Sequence, residues 1–127
     1  MSKKILIIDD DADFVEATTD LLDAKGYTVS SAPDGTSGFA AAKAQKPDLM
    51  LLDVMMTYDS EGLDMAKKFK QEPETSKIPV IMITGIRRAM NLNFNFESDD
   101  EFLPVKAVLE KPVKPEVLLD TIQKAFG

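Results

Sequence analysis

The sequence predicts an α/β fold, a parallel sheet covered by helices on both faces, and three observations carry that prediction. Lys4-Ile5-Leu6-Ile7-Ile8, Asp48-Leu49-Met50-Leu51-Leu52-Asp53 and Pro79-Val80-Ile81-Met82-Ile83 are short apolar runs without two-residue alternation, the pattern of strands buried on both sides. Segments of helical periodicity separate them, so strand and helix alternate along the chain. Each run also ends in polar groups: Asp9-Asp10-Asp11, Asp53, and Thr84-Gly85. In a parallel sheet with right-handed crossovers these ends share one edge, and ligands bind at that edge.

The elements follow in order. Lys4 to Ile8 is the first strand, and Asp11 or Asp13 is placed to cap a helix whose apolar positions Phe14, Thr18, Leu21 and Leu22 recur at helical spacing. Gly26 ends that helix. Tyr27 to Ser31 reads as a short strand, Pro33-Asp34-Gly35 as a turn, and Thr36 to Lys46 as an Ala-rich helix with Phe39, Ala40 and Ala42 on its inner side. Pro47 stops it before the strand that ends at Asp53. A polar loop then leads to Gly62, and Leu63, Ala66, Phe69 and Lys70 pattern as a third helix that fades at Glu72-Pro73.

Pro79 to Thr84 is the fourth strand. From 87 to 104 the pattern changes, because Leu92, Phe94 and Phe96 alternate with Asn91, Asn93 and Asn95; a regular helix is not expected there. Ser98-Asp99-Asp100-Glu101 has the form of a capping box opening one short turn. Leu92, Phe94, Phe96 and Phe102 read more readily as anchors on the chain's own core than as a partner surface. Lys106 to Glu110 is the last strand. Pro115 to Phe126 is the last helix, with proline in its first turn and Leu118, Ile122 and Ala125 facing inward.

Length and composition bound the rest. A chain of 127 residues is expected to form one domain, 1–127, since domains commonly hold ~100 to 150 residues. The net charge of −7 with scattered lysines argues against nucleic acid as a partner, whose phosphates would be repelled. Cysteine and histidine are both absent, which excludes disulfides and thiol nucleophiles and leaves zinc without its usual ligands, whereas Asp oxygens suit magnesium, manganese or calcium. After Met1-Ser2-Lys3-Lys4 only four aliphatic residues precede the acids. That is too few for a signal peptide or a membrane span, so a cytoplasmic location is expected.

Asp9, Asp10 and Asp53, brought within a few ångström, would repel one another unless a cation intervened. Magnesium takes few carboxylates and keeps several waters, so it suits an incomplete acidic cage at an open sheet edge. Beside such an ion Asp53 is positioned to attack a phosphorus centre and form an acyl phosphate. Thr84 and Lys111, at the ends of neighbouring strands, would offer a hydroxyl and an ammonium to the phosphoryl oxygens, with Gly85 leaving space.

These residues resemble the receiver domain of bacterial two-component response regulators, of the single-domain, chemotaxis-regulator-like type. The resemblance spans essentially the whole chain and rests on Ile7-Ile8-Asp9-Asp10-Asp11, Leu51-Leu52-Asp53-Val54-Met55-Met56, Ile81-Met82-Ile83-Thr84-Gly85 and Glu110-Lys111-Pro112. It implies a flavodoxin-like sheet in strand order 2-1-3-4-5, an order for which chemotaxis receivers are themselves a standing example. It further implies that Asp53 is the phosphoacceptor and that Asp10 binds magnesium directly. Asp9 would bind through water and Met55 through its carbonyl, with Thr84 and Lys111 as switch hydroxyl and phosphate-binding lysine. The Lys111-Pro112 bond is expected to be cis, against a base frequency of ~5% for X-Pro bonds.

Several positions depart from the family pattern. Thr57 stands where a proline is usual and Gly62 comes one residue late, so the loop beside Asp53 is longer. Val108 replaces the usual aromatic three residues before the lysine, and the segment between Thr84 and Lys111 is longer than usual. Output signalling is therefore expected to take an atypical route. Met55 and Ile86 stand where the family's residues flank the path of an attacking water. Being apolar they would exclude it, and slow self-dephosphorylation follows.

The resulting expectation is a phosphorylation-controlled binding module, not a turnover enzyme. Its donor would be a histidine kinase or phosphotransfer protein, as terminal regulator or relay intermediate, and its output a separate downstream protein. The competing reading is a magnesium-dependent phosphohydrolase of the haloacid-dehalogenase-like kind, suggested by Asp9-x-Asp11 after an apolar strand; it leaves Asp53 without a role.

Overall fold

The computed structural model describes residues 3–53, 61–85 and 107–126. In chain order these form β1 (Lys4–Ile8), α1 (Ala12–Ala24), β2 (Thr28–Ala32), α2 (Gly35–Gln45) and β3 (Leu49–Asp53). After them come α3 (Glu61–Gln71), β4 (Val80–Gly85), β5 (Ala107–Lys111) and a last helix, α4 (Pro115–Phe126). The strands make one five-stranded sheet in the order β2-β1-β3-β4-β5. All four pairings are parallel. The parallel sheet is the one the strand pattern predicts, and its order is the flavodoxin-like one that the receiver resemblance implies. The irregular stretch 87–104, with Leu92, Phe94, Phe96 and Phe102, lies outside the described residues, as do Met55, Thr57 and Ile86.

Side chains alternate across a strand, so a strand apolar throughout feeds two cores. Leu6, Ile8, Met50, Leu52 and Met82 point to one face and pack with Ala42 of α2 and Met65, Ala66 and Phe69 of α3. Ile5, Ile7, Leu49, Leu51, Ile81 and Ile83 point to the other and pack with Leu22 of α1 and Leu118 and Ile122 of α4. Burial of the central strands is nearly complete, and this anchors the strand ends that carry the acids.

The helices begin and end for local reasons. Of the two acids placed to cap α1, Asp11 does so, its Oδ1 accepting the Phe14 N–H at 3.2 Å, and Gly26 closes the end at a φ of +92° that favours glycine. Asp34 belongs to α2 as its N-cap, accepting the Ser37 N–H at 2.8 Å and the Ser37 hydroxyl at 2.8 Å. Those bonds hold the Asp34 carboxyl below its ordinary pKa, the backbone bond from Ser37 contributing most.

One inward position expected from periodicity is corrected. Ala40 is exposed, because the buried side of α2 runs through Gly35, Gly38 and Ala42. Phe39 and Ala42 do face the core; glycine carries no hydrophobic signal, so the pattern extended that face to Ala40 and missed Gly35 and Gly38. A Cβ at Gly38 would stand 2.7 Å from Ile8 Cδ1, so α2 lies against the end of β1 at a distance only glycine permits. On α3 the buried side runs through Met65, Ala66 and Phe69, and Lys70 is exposed.

Candidate functional site

Register decides what meets at the carboxyl edge. Ile8 pairs with Leu52, so the residues that follow, Asp9 and Asp53, stand side by side at the ends of the two central strands. Asp53 pairs with Ile83, and Thr84 and Gly85 continue β4 opposite Glu110 and Lys111. Four strand ends thus deliver their polar residues to one place, Thr84 by its backbone position.

Asp9 is 3% exposed and Asp53 4% exposed, whereas Asp10 is exposed. One carboxylate oxygen from each of the three lies within 4.8 Å of the others. Asp9 Oδ1 accepts the Asp11 N–H at 2.9 Å. Its Oδ2 is buried without an aligned hydrogen-bond donor, yet stands 2.9 Å from Lys111 Nζ as an ion pair. The same ammonium lies 3.6 Å from Asp11 Oδ2. Burial is the largest single influence on Lys111 and works against its charge, but the ion pair with Asp9 and the fields of Asp53 and Asp11 outweigh it. The lysine is therefore held above its ordinary pKa.

This donor set fits a hard divalent cation. It offers oxygen only, from two buried carboxylates and one that opens to solvent, and the buried Asp9 Oδ2 already holds a positive charge, the Lys111 ammonium at 2.9 Å. Asp9, Asp10 and Asp53 come together as expected from the sequence, with Lys111 beside them. Met55 lies outside the described residues. The Lys111-Pro112 bond is cis. Val108 is half-buried against the α2–α3 side of the sheet.

Two features were not anticipated. Asp11, expected only as a helix cap, also reaches Lys111 with its second oxygen. The ring of Phe14 lies under that ammonium, with Nζ 4.5 Å from the centroid. Phe14 was legible as an inward residue of the first helix; its meeting with a lysine at the far end of the chain was not. Both residues line a groove of about 500 Å³ between α1 and the turn from β5 into α4, walled by Ala17, Leu21, Val113 and Leu118.

A family model described as the response regulator receiver domain matches residues 5–123. The chain belongs to that family. It is similar to the response regulator PleD of Caulobacter vibrioides, with 42% identity over 90 residues that cover 68% of this chain and 19% of PleD. The chain therefore spans about a fifth of that relative's length. Protein PilH of Pseudomonas aeruginosa is 32% identical over 124 residues, covering 98% of each chain. Among solved structures, the receiver domain of the sensor histidine kinase PA1611 from the same organism has a TM-score of 0.84 at 20% identity, over 100% of this chain and 99% of that one. That structure has a magnesium ion coordinated in its active site cleft. As a response regulator receiver, this chain is a component of two-component signalling.

Proposed function

We propose that the chain, as one domain, is a phosphoacceptor: a phosphohistidine on a histidine kinase or phosphotransfer protein donates its phosphoryl group to Asp53. The carboxylate oxygen of Asp53 forms a bond to phosphorus as the nitrogen–phosphorus bond breaks, and the imidazole leaves with the electron pair and takes up a proton. The product is an acyl phosphate. Asp10 and Asp53 would hold magnesium, with Asp9 through water and the Met55 carbonyl completing the set. Bound there, the ion supplies positive charge to the phosphoryl oxygens as they crowd against the acids. Lys111 and the Thr84 hydroxyl donate hydrogen bonds to the same oxygens. The added charge of roughly −1.5 to −2 then alters protein–protein contacts, so that the chain works as a switch in the cytoplasm and not as a turnover enzyme.

The observation that carries this reading is the convergence of Asp9, Asp10 and Asp53 within 4.8 Å with Lys111 in contact at 2.9 Å. The magnesium in the PA1611 receiver supports the choice of ion. The hydrolase alternative gains nothing from the family match, and the second acid of its motif, Asp11, is engaged in capping α1. Intact mass after incubation with acetyl phosphate and magnesium tests the proposal. One added phosphoryl group on wild type and none on Asp53→Asn is expected; equal labelling of both would refute it.

A further inference from the structure

We infer that Phe14 is a positioning residue for Lys111, holding the ammonium at the acidic edge with the face of its ring. The inference rests on the reading of Lys111 as the group that engages the phosphoryl oxygens. A lysine ends in a mobile four-carbon stem, and its charge alone does not place it. Here two carboxylates pull it in different directions. The Asp9 side chain is 1% exposed and draws the ammonium inward at 2.9 Å. The Asp11 side chain is 46% exposed and draws it toward solvent at 3.6 Å.

The ring of Phe14, with its centroid 4.5 Å from Nζ, adds an attraction of another kind. Its π face draws the cation without taking a proton and without adding a carboxylate that would repel an incoming phosphoryl group. Since an ammonium has three N–H donors, a ring contact leaves donors free for phosphoryl oxygens. The ring itself is well placed to act as a fixed wall. Phe14 belongs to the first turn of α1 and its backbone N–H donates at 3.2 Å to Asp11 Oδ1, so one carboxylate holds both the backbone that carries the ring and, at 3.6 Å, the lysine.

Phe14→Leu keeps an apolar side chain and removes the π face; Phe14→Tyr keeps the ring. In the NMR spectrum the ε-methylene of Lys111 is expected to be displaced upfield by the ring current in wild type and Phe14→Tyr, and to lose that displacement in Phe14→Leu. Loading of Asp53 by acetyl phosphate should slow roughly two- to five-fold in Phe14→Leu, the range for a cation–π contact that is only partly desolvated, and recover in Phe14→Tyr. An unchanged Lys111 shift in Phe14→Leu would overturn the contact. Wild-type loading in Phe14→Leu, or equal slowing in both variants, would overturn the positioning role. Failure of wild type to load at all refutes the phosphoacceptor reading and this role with it, a failure told apart by a ring-current shift that persists.

Discussion

Replacing Lys111 with methionine removes the ammonium and keeps most of the apolar stem. The Asp9 carboxylate, 1% exposed and paired with Nζ at 2.9 Å, is left with the single Asp11 N–H on its other oxygen. Asp10 and Asp53 remain within 4.8 Å of it, so the three acids lose the ammonium that offsets their repulsion. Breaking a fully buried pair by removing one partner costs about 3–5 kcal/mol. Because the Lys111 side chain is 21% exposed, water screens part of this and a loss of about 2 kcal/mol is expected. For a domain of this size that lowers the melting temperature by roughly 5–10 °C. Magnesium should then stabilise Lys111→Met more than wild type, because in wild type the ammonium and the ion compete for the same oxygens. Urea unfolding with and without magnesium measures both quantities. A variant as stable as wild type without magnesium, or an equal magnesium increment in the two proteins, would refute the reasoning. The pH dependence carries the same sign. Lys111 is held above its ordinary 10.5, so its contribution is fully present below that pH and is lost as pH rises through the higher folded value. Lys111→Met should lack that alkaline loss.

Gly38→Ala places a methyl group 2.7 to 2.9 Å from three atoms of the buried Ile8 side chain. Overpacking of about 1–3 kcal/mol outweighs the roughly 1 kcal/mol gained in helix propensity, for a net loss near 1 kcal/mol. Chemical denaturation reading a more stable variant would contradict this account of the α2–β1 contact. The apolar Met55 and Ile86 predict a long-lived acyl phosphate on Asp53. After removal of excess acetyl phosphate, decay followed by mass should be slow in wild type and faster in the double variant Met55→Asn with Ile86→Glu; decay of wild type within seconds would count against it.

Much of this protein is legible from its sequence because burial leaves a simple trace. Ile5 to Ile8 and Leu49 to Leu52 show no alternation, which only strands covered on both faces need. The acids that end them mark the functional edge, and the four short motifs identify the family. Periodicity located the helices, but it assigned Ala40 to the inside, since it cannot see that Gly38 allows α2 to approach Ile8.

What the tertiary structure alone decided is how the charges are shared. Sequence places Asp9, Asp11, Phe14 and Lys111 at element ends but gives no distance between residues a hundred positions apart. Parallel pairing of β1, β3, β4 and β5 brings them together, with Lys111 on Asp9 at 2.9 Å, Asp11 at 3.6 Å and the Phe14 ring at 4.5 Å. Burial and backbone patterning are local properties that a sequence records residue by residue. The partner of a charged side chain depends on which elements pack side by side, and only the folded chain determines that.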